Sequence, residues 1–372
     1  MELSNYKNIT YSKIFILLSA LAKNLLGTFN AIYLYKQGFS LTEVVSWQLT
    51  VYICYMIFQL FIHRYLHKFS NKFLMVISFL FFLCAYLKLI FDLHTTFDLI
   101  VNAILFGLYA NIYWNVRHSL EFKTLNDKKI GRKVGIILII SQISEILASL
   151  ISAFILDNFS IIPLFITSSI LMVISLIYVF MIKEKRRKLP KESIFNYFKT
   201  VPKTTLFHIF LKEASTVMSH FFSLYLFLYV SNTYSFAGLA NFFLGLAGII
   251  FTYFLSKKID EKRESYLLFC TVLICTAYLL KINITSELVL IIVFMEGFIK
   301  QFFNVVSNNN YYLLGHNLEK TTYICGYELF INFARVVILL IGFFLTGSLP
   351  KLMYFCIGLL ILSGFLPFKI KK

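Results

Sequence analysis

The sequence predicts an all-α polytopic membrane protein with twelve transmembrane helices arranged as two six-helix bundles. Three observations support this prediction: long apolar runs, one-sided clustering of Lys and Arg, and an internal repeat. Of the 372 residues, 59% are hydrophobic and 14% are charged. Soluble domains average about 45–50% apolar and about 25% charged residues, so the composition excludes an ordinary soluble protein.

The apolar runs place the predicted spans. Each run is about 20 residues long, enough to cross a hydrocarbon layer of about 30 Å. Short connections separate the runs, which leaves no room for a folded domain outside the membrane. The predicted spans are 12–35, 43–62, 73–91, 98–118, 133–156, 161–182, 205–230, 235–255, 265–282, 287–308, 320–346 and 350–368.

The distribution of basic residues predicts the orientation of these spans. With a cytoplasmic N-terminus, 27 of the 35 Lys and Arg residues fall at inner ends, whereas Lys36, Lys88, Lys281 and Lys351 fall at outer ends. Basic loops stay cytoplasmic, and a miscounted helix would invert every later loop. We therefore expect a multi-pass protein of the cytoplasmic membrane with both termini inside. The cytoplasmic basic loops then account for the net charge of +17, and no nucleic-acid partner is predicted.

Similar sequence on either side of a basic segment predicts two copies of one unit. Tyr86 lies in Cys-Ala-Tyr-Leu-Lys, and Tyr278, 192 positions later, lies in Thr-Ala-Tyr-Leu-Leu-Lys. The predicted domains are an N-terminal bundle (1–182), a cytoplasmic linker (183–204) and a C-terminal bundle (205–372). A parallel repeat of this kind is known in transporters.

The chain contains no motif typical of a cofactor or metal site. The six cysteines lie within apolar runs, without metal-ligand or disulfide spacing. His63 and His67 have ligand spacing, but no carboxylate accompanies them in their loop, so no metal site is predicted. No Gly-x-x-x-x-Gly-Lys-Ser/Thr loop is present, and no cofactor is predicted. The abundance of Lys, Ile, Asn, Phe and Tyr is compatible with a bacterial source.

Two loops allow comparison with a known family. The 2–3 loop (63–72) and the 8–9 loop (256–263) are basic, and the second keeps Asp260. Together with the 6+6 organisation, the basic linker and the cytoplasmic ends, they resemble the major facilitator superfamily of secondary transporters over the whole chain. The glycines of that family's loop signature are absent, as is the Gly-Pro signature of many drug–proton antiporters in span 5, so the chain resembles an atypical bacterial member.

Charged residues inside predicted spans indicate where the protein works. Four basic residues (Lys23, Lys212, Lys300, Arg335) and four acidic ones (Glu145, Glu213, Glu296, Glu328) lie there. Each costs about 2.5–3.5 kcal/mol at a helix centre, so these groups must face one another or a hydrated cavity. The candidate substrate-binding or coupling residues are Lys23, Asn30, Asn111, Asn115, Glu145, Glu213, Glu296, Lys300, Asn304, Glu328 and Arg335.

Helical spacing places many of these polar residues in stripes. Glu296, Lys300 and Asn304 recur every four residues on one face of span 10. In the resembled fold, spans 1, 4, 7 and 10 line a central cavity, and spans 2, 5, 8 and 11 meet between the halves. Glu296 and Lys300 are equally consistent with a structural ion pair, and Lys212 can snorkel.

These features predict a secondary transporter of a small polar or amphipathic solute that works by alternating access. The carboxylates are candidate proton carriers, because a desolvated carboxylate binds a proton that it releases when re-exposed to water. Equal numbers of both charge signs suit a zwitterion or a solute of either sign. Export is the favoured direction, since no nutrient-permease signature occurs.

Expected partners are the solute, protons and the lipid bilayer, with the protein a monomer. The alternatives are a flippase of the same fold and a membrane-embedded enzyme, although no catalytic motif is found.

Overall fold

The computed structural model describes residues 2–91, 93–124, 130–183, 192–255, 267–284, 288–316, 319–345 and 347–365. The described residues are almost entirely helical. The helices are α1 (Glu2–Gly27), α2 (Asn30–Lys36), α3 (Leu41–Tyr65), α4 (Asn71–Phe91), α5 (Thr96–Thr124), α6 (Ile130–Asn158), α7 (Ile161–Met181), α8 (Asn196–Thr200), α9 (Lys203–Tyr229), α10 (Tyr234–Leu255), α11 (Leu267–Asn283), α12 (Val289–His316), α13 (Lys320–Leu339) and α14 (Leu349–Gly364). Residues 184–191 of the basic linker and the 8–9 loop with Asp260 lie outside the described residues.

Each predicted span coincides with a helix, with four local differences. Span 1 is interrupted at Thr28, whose hydroxyl donates to the Asn24 carbonyl at 2.7 Å, and continues as α2. The helices of spans 4 and 10 run several residues beyond their predicted ends at 118 and 308. Span 11 ends in a π-helical turn, Leu340–Phe344. The linker contains α8, a short helix that the sequence did not indicate.

Not all of these helices have the length and hydropathy of a membrane span. In the described part of the chain, eight helical segments meet both criteria, including α1 with α2 and α13 with its π-helical turn. Parts of α11 and all of α14 are apolar but shorter (Thr271–Asn283 and Leu349–Gly364). Both α9 and α12 are long, and both contain charged side chains that lower their hydropathy.

Helices from the two halves of the sequence pack directly on one another. The main pairs are α6 with α10 and α3 with α13, the interfaces that the family resemblance implies. Small residues allow the close approach of α6 and α10: a Cβ on Gly238 would lie 2.6 Å from the Ala153 Cβ and 3.0 Å from the Ser149 carbonyl oxygen. Close packing of small residues is the usual source of helix association in lipid. This packing places the polar faces of α1, α5, α6 and α13 near one another.

The linker helix α8 also packs against the transmembrane helices. Tyr197 of α8 is fully buried, and its ring lies against Gly326 of α13 and 5.6 Å from the Tyr323 ring. A Cβ on Gly326 would come within 2.3 Å of the Tyr197 Cβ, so only glycine fits at this contact. The linker helix therefore packs against the helix that carries Glu328 and Arg335.

Candidate functional site

A cavity of about 280 Å³ lies between α1, α5 and α6. Its walls combine charged groups with an apolar patch and one indole ring. The lining residues are Ala20, Lys23, Asn24, Trp114, Arg117, His118, Glu121, Val134, Ile137, Leu138, Ser141 and Glu145. Known ligand pockets measure about 300–1,000 Å³, so this cavity suits a small solute.

Lys23 and Glu145, both predicted site residues, line this cavity from α1 and α6. The Lys23 ammonium lies over the Trp114 ring, 5.1 Å from its centroid. Neither charge forms an ion pair within 4.0 Å to another described residue. Both charges thus remain available to a solute in the cavity.

A network of buried charges forms another part of the cavity lining. Because α5 continues to Thr124, Arg117 and Glu121 lie within the bundle, 6% and 2% exposed. The sequence had counted Arg117 only among the basic residues at inner ends and had not placed Glu121 among the charges within spans, and the structure corrects both by burying them. The two are one helical turn apart and neutralise each other, with Arg117 Nε donating to Glu121 Oε1 at 2.8 Å. Arg117 also donates to Ser141 at 2.6 Å.

His118 extends this network to the other half of the sequence. Its Nδ1 lies 2.8 Å from Glu121 Oε2, and its Nε2 lies 2.9 Å from Glu328 Oε1 on α13. Tyr55 of α3 donates its hydroxyl to the second oxygen of Glu328 at 2.6 Å. We call Glu121, His118 and Glu328 the carboxylate–histidine chain. It joins α5 to α13 through side chains that can gain or lose protons.

A second polar contact joins α9 to α13. Arg335 Nε donates to Glu213 Oε2 at 2.7 Å, and the carboxylate is 3% exposed. The guanidinium also lies 5.6 Å from the centre of the Tyr52 ring of α3. The Tyr52 hydroxyl in turn makes a short hydrogen bond to Nδ1 of His220 on α9. Arg335 and Glu213, predicted separately from the sequence, therefore act as a pair.

Glu296 is paired with a residue that the sequence had placed at an outer end. Lys281 Nζ lies 2.8 Å from Glu296 Oε2, and the two side chains are 2% and 1% exposed. The same ammonium lies 3.7 Å from the Phe222 ring centroid and 4.1 Å from that of Tyr278. Lys281 lies in the last turn of α11, as predicted, but the packing of α11 on α12 buries it, which the sequence did not indicate.

The other two polar residues predicted on span 10 have different partners. Lys300 donates to the Ser219 hydroxyl of α9 at 2.8 Å, so the i, i+4 pair of Glu296 with Lys300 is not formed. Asn304 donates to Gln301 at 3.5 Å within the same helix. The face of α12 that carries Lys300 thus lies towards α9.

The other three of the four asparagine candidates lie in helix contacts instead of along the cavity. Asn111 and Asn115 of α5 both donate to Gln59 Oε1 on α3, at 2.5 and 2.8 Å, and all three side chains are buried. Asn30 of α2 donates to the Tyr86 hydroxyl on α4 at 3.2 Å. These amides join neighbouring helices within the N-terminal half.

Sequence reasoning missed Arg117, Glu121 and Lys281 as members of these networks. A signal for two of them was present, since Arg117 and Glu121 are four residues apart and so share one helical face, the spacing used for other spans. Ending span 4 at residue 118 hid that pattern. Nothing in the sequence pairs Lys281 with a carboxylate 15 residues away.

Comparison with known proteins agrees with this architecture. The family model of the Major Facilitator Superfamily matches residues 14–337. The crystal structure of the human organic anion transporter MFSD10 (TETRAN) is similar, with a TM-score of 0.68, 11% sequence identity, and coverage of 97% of this chain and 99% of that one. No curated protein sequence matches the chain. The chain therefore belongs to the Major Facilitator Superfamily and is a transporter, not an enzyme.

Proposed function

We propose that this protein is a secondary active transporter that exports a small polar or amphipathic solute in exchange for protons. The observation that supports coupling most directly is the carboxylate–histidine chain. Alternating access requires a contact between the two halves that forms in one state and breaks in the other. The bond of His118 to Glu328 is such a contact, because it joins α5 to α13.

Protonation of Glu328 is the proposed trigger. An ionised Glu328 accepts from both Tyr55 and His118, and these bonds hold α3, α5 and α13 together. A proton on the carboxylate removes its charge and one of its acceptor positions. The linkage between the halves then weakens, and the cavity can open towards the linker end of the bundle.

Glu328→Gln tests this coupling step. The measurement uses proteoliposomes that contain a pH indicator. With the wild type, we expect a gradient of transported solute to drive protons across the membrane and change the internal pH. The variant is expected to exchange solute while proton movement falls about tenfold or more, since an amide cannot carry the proton. Glu43→Gln is the matched control, because Glu43 caps the start of α3 at the opposite end of the bundle. Undiminished proton movement in Glu328→Gln would contradict the proposal.

The proposed topology has twelve crossings, two six-helix bundles (1–182 and 205–372), a cytoplasmic linker (183–204), cytoplasmic termini and a single subunit in the cytoplasmic membrane. Equivalent contacts in the two halves support a repeat. Tyr86 bonds to Asn30, and Tyr278 to Ser215. Likewise Lys88 pairs with Asp98 at 2.8 Å, as Lys281 pairs with Glu296.

Protease accessibility of a tag tests this orientation. We expect a tag at either terminus to be cleaved in inside-out vesicles and protected in right-side-out ones, since basic loops remain cytoplasmic. Opposite behaviour of the two tags would mean an odd number of crossings. The same inside-out vesicles should accumulate the solute if the direction is export.

A further inference from the structure

We propose that the cavity between α1, α5 and α6 binds a small zwitterion with a compact apolar body, such as a free apolar α-amino acid. In this assignment Lys23 binds the carboxylate of the solute and Glu145 binds its ammonium group. The inference rests on the proposed transport function and specifies the substrate class of that cavity.

The charges that line the cavity fall into two groups. Arg117, His118 and Glu121 already neutralise one another through contacts of 2.8 Å. Lys23 and Glu145, among the described residues, have no such partner, although both face the same space. Lys23 is partly buried and Glu145 is exposed, so both side chains can reach an oppositely charged group of a solute in the cavity. A solute carrying one charge of each sign supplies both missing partners at once.

The remaining walls indicate the body of the solute. Ala20, Val134, Ile137 and Leu138 form an apolar surface, and Trp114 adds an aromatic ring beside Lys23. A purely anionic solute would leave Glu145 unpaired, and a purely cationic one would leave Lys23 unpaired. With a volume of about 280 Å³, the cavity favours a single amino acid over a large amphiphile.

Three probes with the same leucine side chain separate the possibilities. Leucine carries both charges, N-acetylleucine only the negative one and leucinamide only the positive one. The purified protein in lipid nanodiscs contains two tryptophans, Trp47 and Trp114. Trp47 is buried and bonded to Asn102, so Trp114 reports on the cavity. We expect leucine to change the tryptophan fluorescence and to bind about tenfold or more tightly than either derivative. The fluorescence change should disappear in Trp114→Phe.

Charge-removing variants assign the two ends of the solute. Lys23→Met should weaken leucine binding about tenfold or more and leave leucinamide binding nearly unchanged. Glu145→Gln should weaken leucine binding similarly and leave N-acetylleucine binding nearly unchanged. Lys23→Arg and Glu145→Asp, which keep the charges, should bind leucine within a few-fold of wild type. Lys36→Met is the matched control, because Lys36 lies at the opposite end over Tyr234.

The outcomes distinguish this inference from the transport proposal. Equal binding of leucine and N-acetylleucine by the wild type, or no binding of leucine, overturns the zwitterion assignment and leaves proton-coupled transport of another solute intact. Tight, Lys23-dependent and Glu145-dependent leucine binding supports the assignment. If bound leucine is then not moved across proteoliposomes, the cavity assignment stands and the transport proposal fails for this solute.

Discussion

Replacing Lys281 with methionine is expected to destabilise the folded protein by about 3–5 kcal/mol. The variant leaves the Glu296 carboxylate 1% exposed without its ammonium partner at 2.8 Å. It also removes the cation that lies over the Phe222 and Tyr278 rings. Thermal unfolding in detergent, followed by helix content, should show a large fall in the melting temperature.

The double variant Lys281→Met/Glu296→Gln separates loss of the pair from loss of packing. Because no buried charge is then left unpaired, most of the lost stability should return. Lys88→Met is a matched control from the other half, since the Lys88–Asp98 pair is 16% and 20% exposed and its loss should lower stability much less than the loss of the buried pair. A double variant as unstable as Lys281→Met would show that the ion pair is not the cause.

Replacing Arg335 with methionine is the second change with a large expected effect. Glu213 would lose its partner at 2.7 Å while remaining buried, a loss of about 2–5 kcal/mol in stability. We also expect solute transport in proteoliposomes to fall to background, because Arg335 holds α13 to α9 and lies over Tyr52 of α3. Helix content and melting temperature measure the first effect, and initial transport rate measures the second.

Two further variants distinguish a transport role of Arg335 from a structural one. Glu213→Gln in the Arg335→Met background should restore much of the stability, because it removes the unpaired charge, but should not restore transport. Arg335→Lys keeps the charge without the planar guanidinium fork and should recover only part of both properties. Recovery of transport together with stability in the double variant would indicate that the pair only supports the fold.

The sequence was sufficient to locate the helices but not the partners of their charges. An apolar run of about 20 residues is stable in a bilayer only as a helix, because its backbone groups must bond to one another. Spans such as 73–91 therefore agree closely with α4 (Asn71–Phe91). Periodicity also showed correctly that Asn111 and Asn115 share a face. It could not show that this face meets Gln59 of α3, because that depends on the rotation of α5 against its neighbours.

The same limit explains why the burial of Lys281 was not predicted. Lys281 lies in the last turn of an apolar helix, where lysines usually extend to the membrane surface. Only the packing of α11 on α12 brings it to Glu296. In α5, by contrast, Arg117 and Glu121 neutralise each other within one helix, so charges that seemed to end the span are tolerated inside it.

Some charged side chains within the helices are paired and others are not, and this has a consequence for how the substrate of the transporter could change. In the C-terminal half, Glu213 is paired with Arg335 and Glu296 with Lys281. In the N-terminal half, Lys23 and Glu145 form no ion pair with another described residue. Substitutions at Lys23 and Glu145 can therefore change which solute binds without disturbing the ion pairs that hold the helices of the C-terminal half together. New selectivity should arise in α1 and α6 before it arises in α9, α12 or α13.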